Sequence, residues 1–174
     1  MKKILSFIVL PFFVLSSCTV QEEVSPDMFI SRFVEEYSDF SFEVNGMFYE
    51  KNKCDFFVND SSGTRFAVEM TTDEQEGKVQ KISLACKDAD KAENMLSFAK
   101  KIVSVYAPDE NTQSVTEKFA EGKNFSYYET QWYYYSFSST EAGLFFSVEN
   151  KKLSPEKEEE LTLRQNDIAT TSSE

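Results

Sequence analysis

The chain of 174 residues contains no histidine. That absence excludes Ser-His-Asp and Cys-His nucleophilic catalysis, together with His-ligated zinc and haem centres. Any catalysis would have to rest on carboxylates, lysine, tyrosine or a Ser/Lys pair. Positive charge is also scarce: 18 Lys and Arg stand against 30 Asp and Glu, a formal net charge of −12. Such a chain is repelled by phosphate backbones, and with no basic cluster a nucleic-acid partner is not expected. Five Gly and four Pro are too few for a disordered stalk, whereas the 15% aromatic content suits a packed core. No apolar run is long enough to span a bilayer. The best, Ile4–Leu15, rises only about 18 Å against a hydrocarbon core of about 30 Å.

Cysteine is the next scarcity, with only Cys18, Cys54 and Cys86. The first of them has a distinctive setting. A basic start, Met1-Lys2-Lys3, precedes the apolar run, which is broken only by Ser6 and Pro11 and leads into Leu15-Ser16-Ser17-Cys18. The order is that of a secretory signal. The small residues and cysteine at its end resemble the lipobox of bacterial lipoproteins, a resemblance confined to the first 18 residues. It implies a signal peptide over 1–17, with Cys18 as the lipidated first residue of the mature chain. It also implies a location on the extracytoplasmic face of the membrane, the outer membrane in a two-membrane cell because Thr19 rather than Asp follows the cysteine. Two or three acyl chains hold a protein firmly where one does not. Loss of Lys2 and Lys3 takes the net charge to about −14.

The mature chain, about 157 residues, has room for one core and one domain. Residues 18–25 read as a lipidated tether. Ser25-Pro26 then supplies an N-cap and N1, and Phe29, Ile30, Phe33, Val34 and Tyr37 recur at helical spacing. From Phe40 the apolar period becomes two, with a bulge marked at Gly46. Cys54, Phe56 and Val58, then Phe66, Val68 and Met70, then Ile82, Leu84 and Cys86 complete a four-strand antiparallel meander. Asp90 and Glu93 resemble a capping box before a helix with Ala92, Met95, Leu96, Ala99, Ile102, Val103 and Tyr106 inside. Asn111–Glu121 reads as a shorter helix with Val115 and Phe119 as its apolar pair. Phe125–Ser138 reads as one long aromatic strand that returns through Leu144–Asn150. The expected fold is α+β: a single domain over 26–150, the meander and C-terminal aromatic hairpin packed on two or three helices. Residues 151–174 form a charged tail, partly helical and then disordered.

Opposing Val58 with Phe66 and Val68 with Ile82 separates Cys54 from Cys86 by about 20 Å along the sheet, whereas a disulfide needs Cα atoms within about 7 Å. Both therefore read as small buried side chains. The acidic groups Asp73, Glu74, Glu76 and Asp88, Asp90, Glu93 fit no EF-hand spacing and read as capping and solvation, so no metal or other cofactor is expected. The sharpest lead is the hairpin. Opposing Phe137 with Leu144 places Tyr135, Phe146, Tyr133 and Val148 on one face, and Tyr128, Trp132, Tyr134 and Phe145 on the other. Buried, that second set is core beneath a helix; exposed, it is a ring-rich binding face. The expected function is a membrane-anchored, non-catalytic module whose partner is another envelope protein. The alternative is a small-ligand or glycan-binding lipoprotein using the same rings. A carboxylate- or Ser/Lys-based hydrolase has no motif behind it.

Overall fold

The computed structural model describes residues 23–50, 52–120 and 125–154. Cys18, the expected signal and most of the expected charged tail lie outside them. Three helices and seven antiparallel strands are present among the described residues, forming an α+β fold with one open sheet. The elements are α1 (Pro26–Glu36), β1 (Ser41–Glu50), β2 (Lys53–Asn59), β3 (Arg65–Thr72), β4 (Val79–Cys86), α2 (Ala92–Tyr106), α3 (Thr112–Ala120), β5 (Phe125–Glu129), β6 (Tyr133–Thr140) and β7 (Gly143–Asn150).

The strands lie in the order β1-β2-β3-β4-β7-β6-β5. A four-strand meander is followed by two helices that carry the chain over one face to the far edge. There a second meander begins and returns, so that β7 closes against β4. Alternation drives this arrangement, because β2 and β3 bury every second side chain. The buried face carries Cys54, Phe56, Val58, Phe66, Val68, Met70, Ile82, Leu84, Cys86, Leu144, Phe146 and Val148. All three helices pack on it: Phe33 of α1 meets Phe42, Phe98 of α2 stacks on Phe66 at 4.4 Å, and Phe119 of α3 meets Phe137 and Phe146.

Local rules explain the ends of α1. Ser25 Oγ accepts from the Met28 N–H, and Pro26 sits at N1. Val34, placed on the inner stripe by its spacing, is instead 50% exposed, because the buried stripe runs through Phe29 and Phe33, with Ile30 and Tyr37 partly buried beside them. In α2 the expected capping box does not form. Lys91 occupies the N-cap and makes no side-chain cap bond. The helix is held by its buried stripe, to which Phe98 and Val105 are added.

Register departs from the expected pairing by two residues in two places. Val68 faces Leu84 rather than Ile82, with a register shift after Thr71. Phe137 faces Phe146 rather than Leu144, because Glu141-Ala142 makes a two-residue turn between the partners Thr140 and Gly143. A slip of two leaves every side chain on its original face, so the core is unaffected. Cys54 lies level with Met70 and Cys86 with Phe66, about 13 Å apart along the strands; both are buried and free. In β1 the register shifts between Glu43 and Phe48, a stretch that includes Gly46.

Candidate interaction face

The aromatic run does not form one strand. It breaks at Thr130-Gln131-Trp132 into β5 and β6, which pair with each other, so the expected two-strand hairpin is a three-strand meander. Thr130 makes the break. Its N–H donates to the Tyr133 carbonyl, and its Oγ1 accepts from the N–H groups of Trp132 and Tyr133 while donating to Glu110 Oε1 at 2.7 Å. A polar Glu-Thr-Gln inside an otherwise aromatic run was the available signal, since a Thr hydroxyl competes well for turn N–H groups.

The break divides the four candidate rings. Tyr128 faces Tyr135 across the β5–β6 pair and stacks on it at 6.0 Å, so it lies on the helix-covered face. Tyr127 takes its place outside and is 43% exposed. Phe145 points away from the helices and is 41% exposed; Trp132, in the turn, is 36% exposed. Tyr134 points the same way yet is only 4% exposed. It is covered by Tyr127, 6.1 Å away, and by Lys151, whose ammonium sits 4.5 Å from its ring while pairing with Glu129. The expected quartet therefore reduces to Trp132 and Phe145 as accessible rings, and the register adds Tyr127.

Cross-strand rows define the rest of this face. One row runs Phe57, Ala67, Ala85, Phe145, Ser138; the next runs Asp55, Glu69, Ser83, Ser147, Ser136, Tyr127. Between the Phe57 and Phe145 rings the sheet is thus floored by Ala67, Ala85 and Ser83, with the Glu69 carboxylate, paired with Lys53, beside them. Phe57 and Phe145 are three strand spacings apart, about 14 Å. The Arg65 guanidinium lies 3.8 Å over the Phe57 ring and pairs with Glu43. The Ser136 and Ser147 hydroxyls bond each other at 2.8 Å. Among the described residues no helix covers this face.

Tyr106 and Tyr135, behind the face, are strongly desolvated, and Tyr127, on it, only partly. Burial raises the Tyr106 phenol well above its usual range, and its OH donates to the Val79 carbonyl. Burial, aided by Glu110, raises Tyr135 likewise, and its OH has no hydrogen-bond partner among the described residues. Partial burial and Glu129 push Tyr127 up to about 12. These phenols stay neutral at any physiological pH; Tyr106 and Tyr135 act as packing groups, whereas Tyr127 is an exposed neutral ring.

Among the described residues no three His, Cys, Asp or Glu side chains are placed to hold a metal ion, and no helix is long and apolar enough to cross a membrane. Comparison with known proteins yields no matching family model, no matching curated protein and no matching solved structure.

Proposed function

We propose that the protein is a lipid-anchored, extracytoplasmic bacterial module that binds an envelope protein through the helix-free face of its sheet, without catalysis. The observation that carries the reading is Phe145. Its cross-strand neighbours, Ala85 and Ser138, are too short to cover it, so a phenylalanine stands proud on an inner strand. Exposed rings beside a low floor of short side chains suit a protein hot spot. A protein partner fits better than a glycan, because Ser136 and Ser147 bond each other, which leaves that pair of floor hydroxyls one free proton rather than two. The lipobox-like Leu15-Ser16-Ser17-Cys18 supports the address.

The test is site-specific photo-crosslinking in cells. A benzoylphenylalanine at position 145 should trap one envelope protein, while the same probe at Met28, 40% exposed on α1, should not. With the purified pair, Phe145→Ser should weaken binding at least about tenfold, which is about 1.4 kcal/mol. Unchanged affinity in Phe145→Ser sinks the interaction reading. A shift of Trp132 emission on adding oligosaccharide alone would favour the glycan alternative. Cys18→Ser should release the domain or leave an unprocessed precursor; unchanged attachment refutes lipidation.

A further inference from the structure

The face proposed to carry the interaction is complementary to itself. Read across the sheet from β2 to β6, one row is Phe57, Ala67, Ala85, Phe145 and Ser138, and β4, which holds Ala85, is the central strand of the seven. A twofold axis laid along β4 reverses the strand order and sets each row opposite itself. Phe145 of each copy then falls on Ala67 of the other, Phe57 falls on Ser138, and Ala85 meets Ala85. Every ring in the row faces a short side chain, and no ring faces a ring. Packed sheets lie about 10 Å apart and cross at about 30°, so the opposition is tightest beside the axis, at Phe145 and Ala67.

Charge and area fit the same occupant. The ion pairs Lys53–Glu69, Arg65–Glu43 and Lys151–Glu129 set a cation beside each of three carboxylates on this side of the sheet. In the next row Asp55 and Glu69 come to lie against Ser136 and Ser147 of the other copy, so no carboxylate there meets another. The two Lys81 meet at the axis, each with Glu149 of both copies one strand to the side. Six strand spacings and an eight-residue strand give a face of about 29 by 26 Å, about 750 Å², close to the roughly 800 Å² per partner of a stable interface. An axis along any other strand leaves an edge strand uncovered.

The proposed anchor selects the direction of the axis. Cys18 and Glu23 are five residue steps apart, at most about 18 Å of extended chain. The next carbonyl, of Val24, accepts from the Val79 N–H at the end of the sheet where β4 begins. An axis along the strands keeps that end of both copies on one side, so both anchors reach one membrane. An axis across the strands would set the second tether a strand length away, about 26 Å.

We infer that the partner is a second copy of this chain, packed sheet to sheet about a twofold axis along β4, with the Phe145 ring of each copy seated on Ala67 of the other. The two sheets form the inner layers of the assembly and the helices its outer ones.

The inference rests on the proposed interaction through Phe145, and the experiment separates the two. The full acylated protein in detergent should sediment as a dimer. Phe145→Ala, which removes the ring, and Ala67→Phe, which sets ring against ring, should each raise the dimer dissociation constant at least about tenfold. Both positions lie outside the core, and circular dichroism checks that each variant is folded. The two changes in one chain exchange ring and seat, and should return the constant to within about threefold of the unaltered protein. Benzoylphenylalanine at position 145 should join β3 of an isotope-labelled copy when the two proteins are mixed. A dimer that Phe145→Ala does not weaken, or a double variant no tighter than the single ones, overturns the packing about β4. A monomeric protein whose probe at 145 traps a different envelope protein overturns self-association and leaves the interaction reading standing. A monomeric protein whose probe traps nothing overturns both.

Discussion

Thr130→Val is the most informative single change, because it removes one hydroxyl from the turn that divides the aromatic run while preserving side-chain shape. The lost interactions are a bond to the Glu110 carboxylate at 2.7 Å and two longer ones, from the Trp132 and Tyr133 N–H groups at 3.4 and 3.2 Å. A bond to a charged group contributes roughly 1.5–3 kcal/mol and a neutral one roughly 0.5–1.5. The site is half-buried, and water replaces part of what is lost, so the expected cost is about 2 kcal/mol. With a urea slope of about 2 kcal/mol/M, the unfolding midpoint falls by about 1 M. Trp132 reports the transition directly, two residues from the substitution. Thr130→Ser, which retains the oxygen, should recover most of the loss. A Thr130→Val midpoint within about 0.2 M of the unaltered protein would refute the assignment of the turn to this hydroxyl.

Three further outcomes follow from the same packing. Phe98→Ala, which opens a hole between Phe33, Phe40 and Phe66, should cost about 3–5 kcal/mol in chemical denaturation and leave the domain marginal. Gly143→Ala should destabilise by at least about 2 kcal/mol by calorimetry, since φ is +131° there and a Cβ would overlap the Cys86 carbonyl oxygen. Phenol burial raises the folded-state pKa of Tyr127, Tyr106 and Tyr135 above 10, so the stability it contributes is complete below pH 10. That stability is lost as pH rises towards about 12 and beyond, and absorbance at tyrosinate wavelengths should rise together with unfolding. Phenols that titrate near pH 10 in a still-folded protein would contradict it.

Much of the architecture was legible because it follows from period. A two-residue apolar repeat in 54–58, 66–70 and 82–86 assigns one face to the core whatever the partner strand, and a register slip of two cannot disturb it. The Ser25-Pro26 start of α1 was legible for an equally local reason. The capping box at Asp90 and Glu93 was not realised, since tertiary packing of α2 outweighs a cap contributing about 1 kcal/mol. Phe98 escaped the stripe because its importance comes from α1 and β3, elements remote in the chain.

The candidate face shows where local reading ends. Composition and order alone determined that the chain lacks histidine chemistry, that it is acidic, that it starts with a signal-like segment ending in cysteine, and that its 125–150 region is rich in aromatic residues, several of them consecutive. Which rings reach water was decided by tertiary structure. One hydroxyl at Thr130 turned a strand into two and moved Tyr128 inward, Lys151 folded over Tyr134, and the short neighbours Ala85 and Ser138 left Phe145 uncovered. Alternation is a property of consecutive residues, whereas exposure depends on what neighbouring strands bring alongside, and those strands are set by contacts distant in sequence.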